Sequence, residues 1–284
     1  RIGAIRAADE DLQSQVTFLN LPISIVGENK VGIFTLTFQD LSVPVQGIPI
    51  TVTRTYDTRL SAERDFGLGW RLDVVSGNLK VRENMDVVAT LPDNRRAKFR
   101  FAPLSTTDDL NNFTQGFLGG AVPEVFSPYR TANYVSEATN PRWKLRSSGP
   151  QDLFAIPTEF SRVESQYGSL PKVTKFKLLY YDFTDYVPAS YVVSDQRGVE
   201  FDYAAAGGRL TEIREPNGNS LTITDTAITH STGKAIQIVR EVGSGKITSL
   251  IDPDGKSVTY EYLSPSGQLS ASVDRELNRT EYVY

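Results

Sequence analysis

The sequence predicts an all-β protein: antiparallel β-hairpin repeats forming a curved ribbon or partial shell, with an irregular insertion and at most minor helix. Three observations carry this. Apolar and polar residues alternate with a period of two over long stretches. The chain holds 14 Phe and 13 Tyr, with frequent Val, Ile and Thr, the side chains that suit a half-buried pleated surface. A turn centred on Gly or Asn and followed by alternating aromatics recurs, which is the mark of a stacked repeat.

Taken in order, residues 1–30 are a lead-in whose best helix candidate is AADEDLQSQV, residues 7–16. Residues 31–101 are an opening segment. In VGIFTLTFQDLSVPV, Ile33, Thr35 and Thr37 alternate with Phe34, Leu36 and Phe38, and in IPITVTRTYDT, Ile50 and Val52 alternate with Thr51 and Thr53. Residues 102–193 form a β-rich insertion that starts with the irregular, Gly-, Pro- and Asn-rich TTDDLNNFTQGFLGGAVPEVFSPYR and returns to strands at KVTKFKLLYYDFTDYVPASYVVSD. Residues 194–284 are the repeats, so the chain reads as one continuous elongated domain.

The repeat grammar is clearest in IDPDGKSVTYEY, residues 251–262. Asp252 and Asp254 precede Gly255, and Val258, Tyr260 and Tyr262 alternate after it. REPNGNSLTITD repeats the pattern around Gly218, SDQRGVEFDY around Gly198 and LPDNRRAKFRF around Asn94; DRELNRTEYVY puts Asn278 in the place of Gly255. Asn is the usual substitute for Gly where φ is positive. The markers at 198, 218, 255 and 278 are 20, 37 and 23 residues apart, and Gly233 supplies one more turn inside the wide gap. A second element recurs upstream of the turns: Gly208, Leu210, Ile213; Gly245, Ile247, Leu250; and Gly267, Leu269, Ser272 followed by Val273, where the copy drifts by one residue. A unit of this length cannot bury its own apolar face and has to stack on its neighbours.

Bulk properties exclude several classes. A net charge of −4 from 34 acidic and 30 basic residues spread along the chain leaves no nucleic-acid footprint. With no cysteine there are no disulfides, thiolate metal sites or thiol nucleophiles. No apolar run approaches the roughly 18 residues of a membrane span. The start, RIGAIRAADEDL, has neither an initiator Met nor a signal-peptide core, and the alternation runs to Tyr284, so the chain reads as a piece of a longer protein with a further strand following.

Each candidate site has a plainer reading. A calcium loop begun by Asp252 and Asp254 needs an oxygen ligand and a bidentate Glu where Lys256 and Leu263 stand, so the pair reads as turn formers. A Ser-His-Asp arrangement must use His230, the only histidine, which lies in a turn between repeat strands. GSGK at 243–246 lacks the first Gly and the Ser/Thr of a phosphate loop and reads as a hairpin. Trp70 in FGLGW reads as a core anchor, with Gly67 and Gly69 letting the backbone turn around it; the competing reading is a glycan-binding face formed by Trp70, Tyr180 and Tyr186. No catalytic residue, metal ligand or cofactor site is expected, so the structural repeat positions are Gly198, Gly218, Gly255, Asn278, Tyr260, Tyr262 and Trp70.

The opening segment resembles that of bacterial RHS (rearrangement hotspot) proteins. The shared elements are R-T-Y, here Arg54, Thr55 and Tyr56, and F-G-x-G-W, here Phe66, Gly67, Gly69 and Trp70. DPDGKSVTYEY and GQLSASVDRELNRTEYVY are similar to the YD (tyrosine-aspartate) repeats of the same proteins. The resemblance implies a hollow β-shell which in toxin-carrying members encloses a C-terminal polypeptide, and which in teneurin-like relatives serves adhesion. The self-cleaving aspartyl core of toxin carriers has no counterpart in this sequence. The expectation is therefore a non-enzymatic bacterial scaffold, secreted or at the cell surface. Its partners are downstream repeats and the C-terminal polypeptide of the same chain, with no nucleic acid and no membrane span. The alternative is an adhesion or carbohydrate-binding module that meets a cell-surface glycan or protein.

Overall fold

The computed structural model describes residues 34–60, 63–105, 128–137, 143–165 and 168–284, with the backbone of two short strands nearer the N-terminus. Residues 8–16, most of the expected helix, and residues 106–127, most of the irregular stretch, lie outside the described residues. The described chain is all-β and its strand pairs are antiparallel, with one 3-10 turn at Asp73–Val75. It divides into two compact units, each discontinuous in sequence. Unit 1 is Arg1–Gly77, Leu91–Arg95 and Leu210–Tyr284; unit 2 is Asn78–Thr90 and Arg96–Arg209.

Unit 1 opens with β1 (Ala4–Ala7), β2 (Thr17–Leu19), β3 (Thr35–Val43), β4 (Ile50–Asp57), β5 (Glu63–Arg64), β6 (Gly67–Leu68) and β7 (Trp70–Leu72). Strands β3, β4 and β7 make a three-stranded sheet whose inward set includes Leu41, Ile50, Val52, Trp70 and Leu72. The β3–β4 register slips between Gln39 and Leu41, so Asp40 is the extra residue of a β-bulge. A bulge re-aims the side chain it carries.

Unit 2 contributes β8 (Asn78–Val81), β9 (Val87–Thr90), β10 (Arg96–Phe101), β11 (Leu104–Ser105), β12 (Tyr129–Thr131), β13 (Tyr134–Ser136), β14 (Trp143–Ser147), β15 (Asp152–Ser165), β16 (Gly168–Tyr180), β17 (Ser190–Asp195) and β18 (Glu200–Ala204). They pair in the orders β13-β10-β9-β8, β11-β12-β15-β16 and β14-β17-β18. The long β15–β16 hairpin carries a register irregularity at Pro157–Glu159, where proline has no N–H to give the ladder.

Unit 1 resumes with β19 (Leu210–Arg214), β20 (Ser220–Ile223), β21 (Ala227–His230), β22 (Ala235–Arg240), β23 (Ile247–Ile251), β24 (Ser257–Tyr262), β25 (Leu269–Val273) and β26 (Arg279–Glu281), each hydrogen-bonded to the next. The outer edge of β26 pairs with β1, where Arg6 faces Thr280, and β1 pairs with β2. One face of this ribbon is buried along its length by Leu210, Leu221, Ile228, Ile236, Ile238, Leu250, Val258 and Leu269.

A single turn geometry recurs in both units. At Arg82, Leu91, Tyr180, Asp195, Glu215, His230, Asp252 and Asp274, the residue's N–H donates to the carbonyl four residues on, and its carbonyl accepts from the N–H three residues on. This is a type I turn closed by a left-handed residue in a G1 bulge. The left-handed residue is Gly198, Gly218, Gly233 or Gly255 in four turns and Met85, Asn94, Phe183 or Leu277 in the others. Asn278, expected in that role, is displaced from it by one. Asp274 Oδ1 accepts the Glu276 and Asn278 amides at 2.9 Å, as Asp252 Oδ1 accepts those of Asp254 and Lys256, so Leu277 takes φ 64°. The Gly233 turn fills the wide gap between Gly218 and Gly255, and there His230 Nδ1 accepts the Thr232 N–H at 3.0 Å.

Candidate functional site

The motif residues of the opening segment and the tyrosines of the repeats meet inside unit 1, around Arg54. Strand β4 points this guanidinium inward, where its side chain is 1 % exposed. A bare charge there would be very costly, so it has to be met by a carboxylate and further hydrogen bonds. The bulged Asp40 supplies the carboxylate: Arg54 Nε donates to Oδ2 at 2.8 Å and Nη2 to Oδ1 at 3.0 Å. Nη2 also donates to the Tyr282 hydroxyl at 2.9 Å, which shares a 2.9 Å bond with Ser272 Oγ. The Tyr260 hydroxyl donates to Asp40 Oδ2 at 2.7 Å. Burial alone lowers the pKa of Arg54, but the charge and hydrogen bonds of Asp40 more than offset it and the net shift is upward. Tyr260 is driven well above the usual phenol range, by burial first and then by the charge of Asp40.

Nη1 of Arg54 has no hydrogen-bond partner. Aromatic rings surround the group instead: Phe38, Phe66, Trp70, Tyr260 and Tyr282 have centroids 4.8–5.8 Å from Cζ. Ring faces attract a cation without a donor–acceptor bond, by roughly 0.5–2 kcal/mol each. The F-G-x-G-W element delivers two of these rings. Phe66 packs on Tyr260 at 4.7 Å, and Trp70 Nε1 donates to the Tyr284 hydroxyl at 2.7 Å, which donates on to the Leu269 carbonyl at 2.9 Å. Between the two rings, Gly67 has φ +84°, and a Cβ there would lie 2.3 Å from the Gly267 carbonyl oxygen of the repeats. Asp65 adds a 2.8 Å ion pair to Arg240, and its carbonyl accepts the Ile247 N–H at 2.7 Å.

The cage is a mechanical joint. It ties β3, β4 and β7 to β24, β25 and the residues just after β26 through groups more than 200 residues apart in sequence. Tyr262 belongs to the same region, donating to the Ile247 carbonyl at 2.5 Å. Asp252 and Asp254 stay in their turn, and Asp252 Oδ2 pairs with Arg275 at 3.1 Å. Among the described residues no group of three or more His, Cys, Asp or Glu is arranged to hold a metal ion.

Two of the three rings of the candidate glycan face are buried. Trp70 is 0 % exposed, because the Tyr284 hydroxyl satisfies its N–H and lets the whole indole be buried. Tyr186 is 6 % exposed, its hydroxyl bonded to Ser147 at 2.8 Å and Tyr134 at 3.3 Å. Only Tyr180, half-buried, reaches a surface cavity. That cavity, in unit 2, has a volume of about 620 Å³, and Tyr180, Tyr181, Asp152 and Asp182 are among its walls.

Asp40, Arg54 and Ser272 are the cage members that motif reading passed over as a bonded set. The available signal was the break in alternation at FQDLS, where Phe38 and Leu41 are three apart instead of two. Comparison with known proteins adds one match: a family model described as a domain of unknown function, DUF6531, covers residues 30–99. That span contains Asp40, Arg54, Phe66 and Trp70. No curated protein matches the chain.

Proposed function

We propose that this chain is the opening section of an RHS/YD-repeat β-shell. It is a non-enzymatic scaffold from a large secreted or cell-surface bacterial protein, and it encloses or presents a polypeptide cargo such as a toxin. The observation that supports this most is the Arg54 cage. It seats the opening segment on the buried face of consecutive hairpins, using the arginine of R-T-Y, the phenylalanine and tryptophan of F-G-x-G-W and the repeat tyrosines Tyr260, Tyr282 and Tyr284. On this reading the opening segment closes one end of a wall that successive hairpins extend, and the partners are further repeats and the polypeptide they surround. The work of the protein is then geometric, and no side chain is assigned a catalytic role.

The test is limited proteolysis with mass mapping of the complete gene product. A scaffold of this kind protects a polypeptide segment outside the repeats, and Asp40→Ala, which loosens the joint, makes that segment cleavable. If every segment outside the repeats is cleaved as fast as a free peptide, the proposal fails. The carbohydrate-binding alternative loses two of its three rings to burial.

A further inference from the structure

The surface cavity of unit 2 has a chemistry that the scaffold role does not use. Its walls are two phenol rings, Tyr180 and Tyr181, apolar Pro150 and Val187, and the carboxylates of Asp152 and Asp182; none of its lining residues is basic. Tyr181 is 53 % exposed although it sits against the Tyr129 ring at 6.2 Å, and Phe183 is 67 % exposed while packing edge-on against Phe154 at 5.8 Å. Phe183, which is not a wall of the cavity, takes φ 63° at a turn position where Gly198, Gly218, Gly233 and Gly255 serve in the sister turns. The hydrogen bonds of Asp182 to the Thr184 N–H and hydroxyl both go to Oδ1. Asp152 is exposed at the start of β15, close enough to Tyr181 that its charge, after burial, helps raise the phenol's pKa. The nearby Lys177 is already committed to Asp185 at 2.6 Å.

One exposed and one half-buried phenol, with two carboxylates that pair with no cation among the described residues, form a site of negative potential with apolar walls. We propose that this groove binds an organic cation of the alkylammonium type, with the ammonium group over Tyr181 and its charge facing Asp152. Ring quadrupoles and carboxylates both favour positive charge, and a quaternary ammonium adds methyl groups that suit the apolar walls. A cavity of about 620 Å³ is in the size range of a small-molecule site. A neutral sugar would stack on the rings and donate hydroxyls to the carboxylates, but it brings no positive charge to match the two negative ones.

The test is an NMR titration of the ¹⁵N-labelled chain with choline, with its neutral isostere 3,3-dimethyl-1-butanol, and with methyl glycosides, in salt-matched buffer. The proposal expects choline to shift the amides of Gly149, Tyr181 and Asp182 with a Kd on the order of 1–10 mM. The isostere should bind at least fivefold more weakly. Tyr181→Ala and Asp152→Asn should each weaken choline at least threefold with the rest of the spectrum unchanged. Both side chains are exposed, and if one variant perturbs the fold the other carries the same test. Equal binding of the isostere means an apolar crevice, preference for a glycoside means a carbohydrate site, and choline binding indifferent to both substitutions places it elsewhere. Each of these, like silence up to about 50 mM choline, overturns the proposal.

Discussion

Replacing Asp40 by alanine should be among the most damaging single changes in unit 1, although Asp40 belongs to no recognised motif. The substitution leaves the Arg54 guanidinium, 1 % exposed, with only the Tyr282 hydroxyl and a 3.4 Å contact to Ser272, and it strips the Tyr260 hydroxyl of its acceptor. Removing one partner of a buried ion pair costs about 3–5 kcal/mol. Arg54→Met should cost less, about 2–4 kcal/mol, because Asp40 keeps the Tyr260 donor and Tyr282 keeps Ser272. The double variant removes both charges together, so its cost should fall short of the sum by about 2 kcal/mol. The chain has two tryptophans. Trp143→Phe, a mild change at a ring that meets Phe201 edge-on, leaves Trp70 in the cage as sole reporter of unit 1. Urea unfolding followed by Trp70 fluorescence then gives the full cycle. An Asp40→Ala cost below about 1 kcal/mol, or additivity within about 0.5 kcal/mol, would refute the cage as a coupled joint.

Other expectations follow from the same geometry. Tyr260 and Tyr262 are held above the usual phenol range, and burial pushes Tyr284 up to about 12. Folded-state values raised above an unfolded value near 10 mean that this contribution is complete below about pH 10 and lost as pH rises through the folded values. Urea midpoints should therefore decline between pH 10 and 11.5, and Tyr260→Phe should flatten part of that decline while costing about 1.5–3 kcal/mol at pH 8; an unchanged slope would show that Tyr260 does not contribute. Gly255→Ala meets open space and should cost about 1–2 kcal/mol for its positive φ alone. Gly67→Ala adds a 2.3 Å clash with a backbone oxygen, so it should melt unit 1 at a clearly lower temperature than Gly255→Ala; equal melting temperatures would contradict the close seating of the F-G-x-G-W element. Leu277→Gly relieves a left-handed leucine that is 82 % exposed, and should stabilise by about 0.5–1 kcal/mol in thermal melts.

What sequence reading could see and what it could not divides along the distance of the interactions. The turn at Gly255 and the alternation through Val258 and Tyr260 are local, set within a few residues, and they predicted the all-β class and the extra turn at Gly233. The same locality misled at DRELNRTEYVY. Asn was the residue expected to adopt positive φ, but the Asp274 carboxylate binds the amides at 276 and 278 and so places the left-handed conformation on Leu277, whatever its preference. Trp70 read as a core anchor and is 0 % exposed, but the hydroxyl that satisfies its N–H was not legible, because it comes from Tyr284, 214 residues away. The Asp40–Arg54 pair was hidden for a different reason: alternation puts Asp40 on the face of Phe34, Leu36 and Phe38, but nothing local shows that an arginine 14 residues on meets it there. Exposure at YYDF was equally unreadable, since Tyr181 and Phe183 point outward through a turn and not through strand periodicity.

The scaffold reading is tested most directly by cryo-electron microscopy of the complete gene product. The account predicts further hairpins extending the sheet that contains β19–β26 into a closed wall, with the Arg54 cage intact at one end and ordered or confined polypeptide inside. An open sheet whose buried face is covered only by the segment described above, with no enclosed chain, would contradict it.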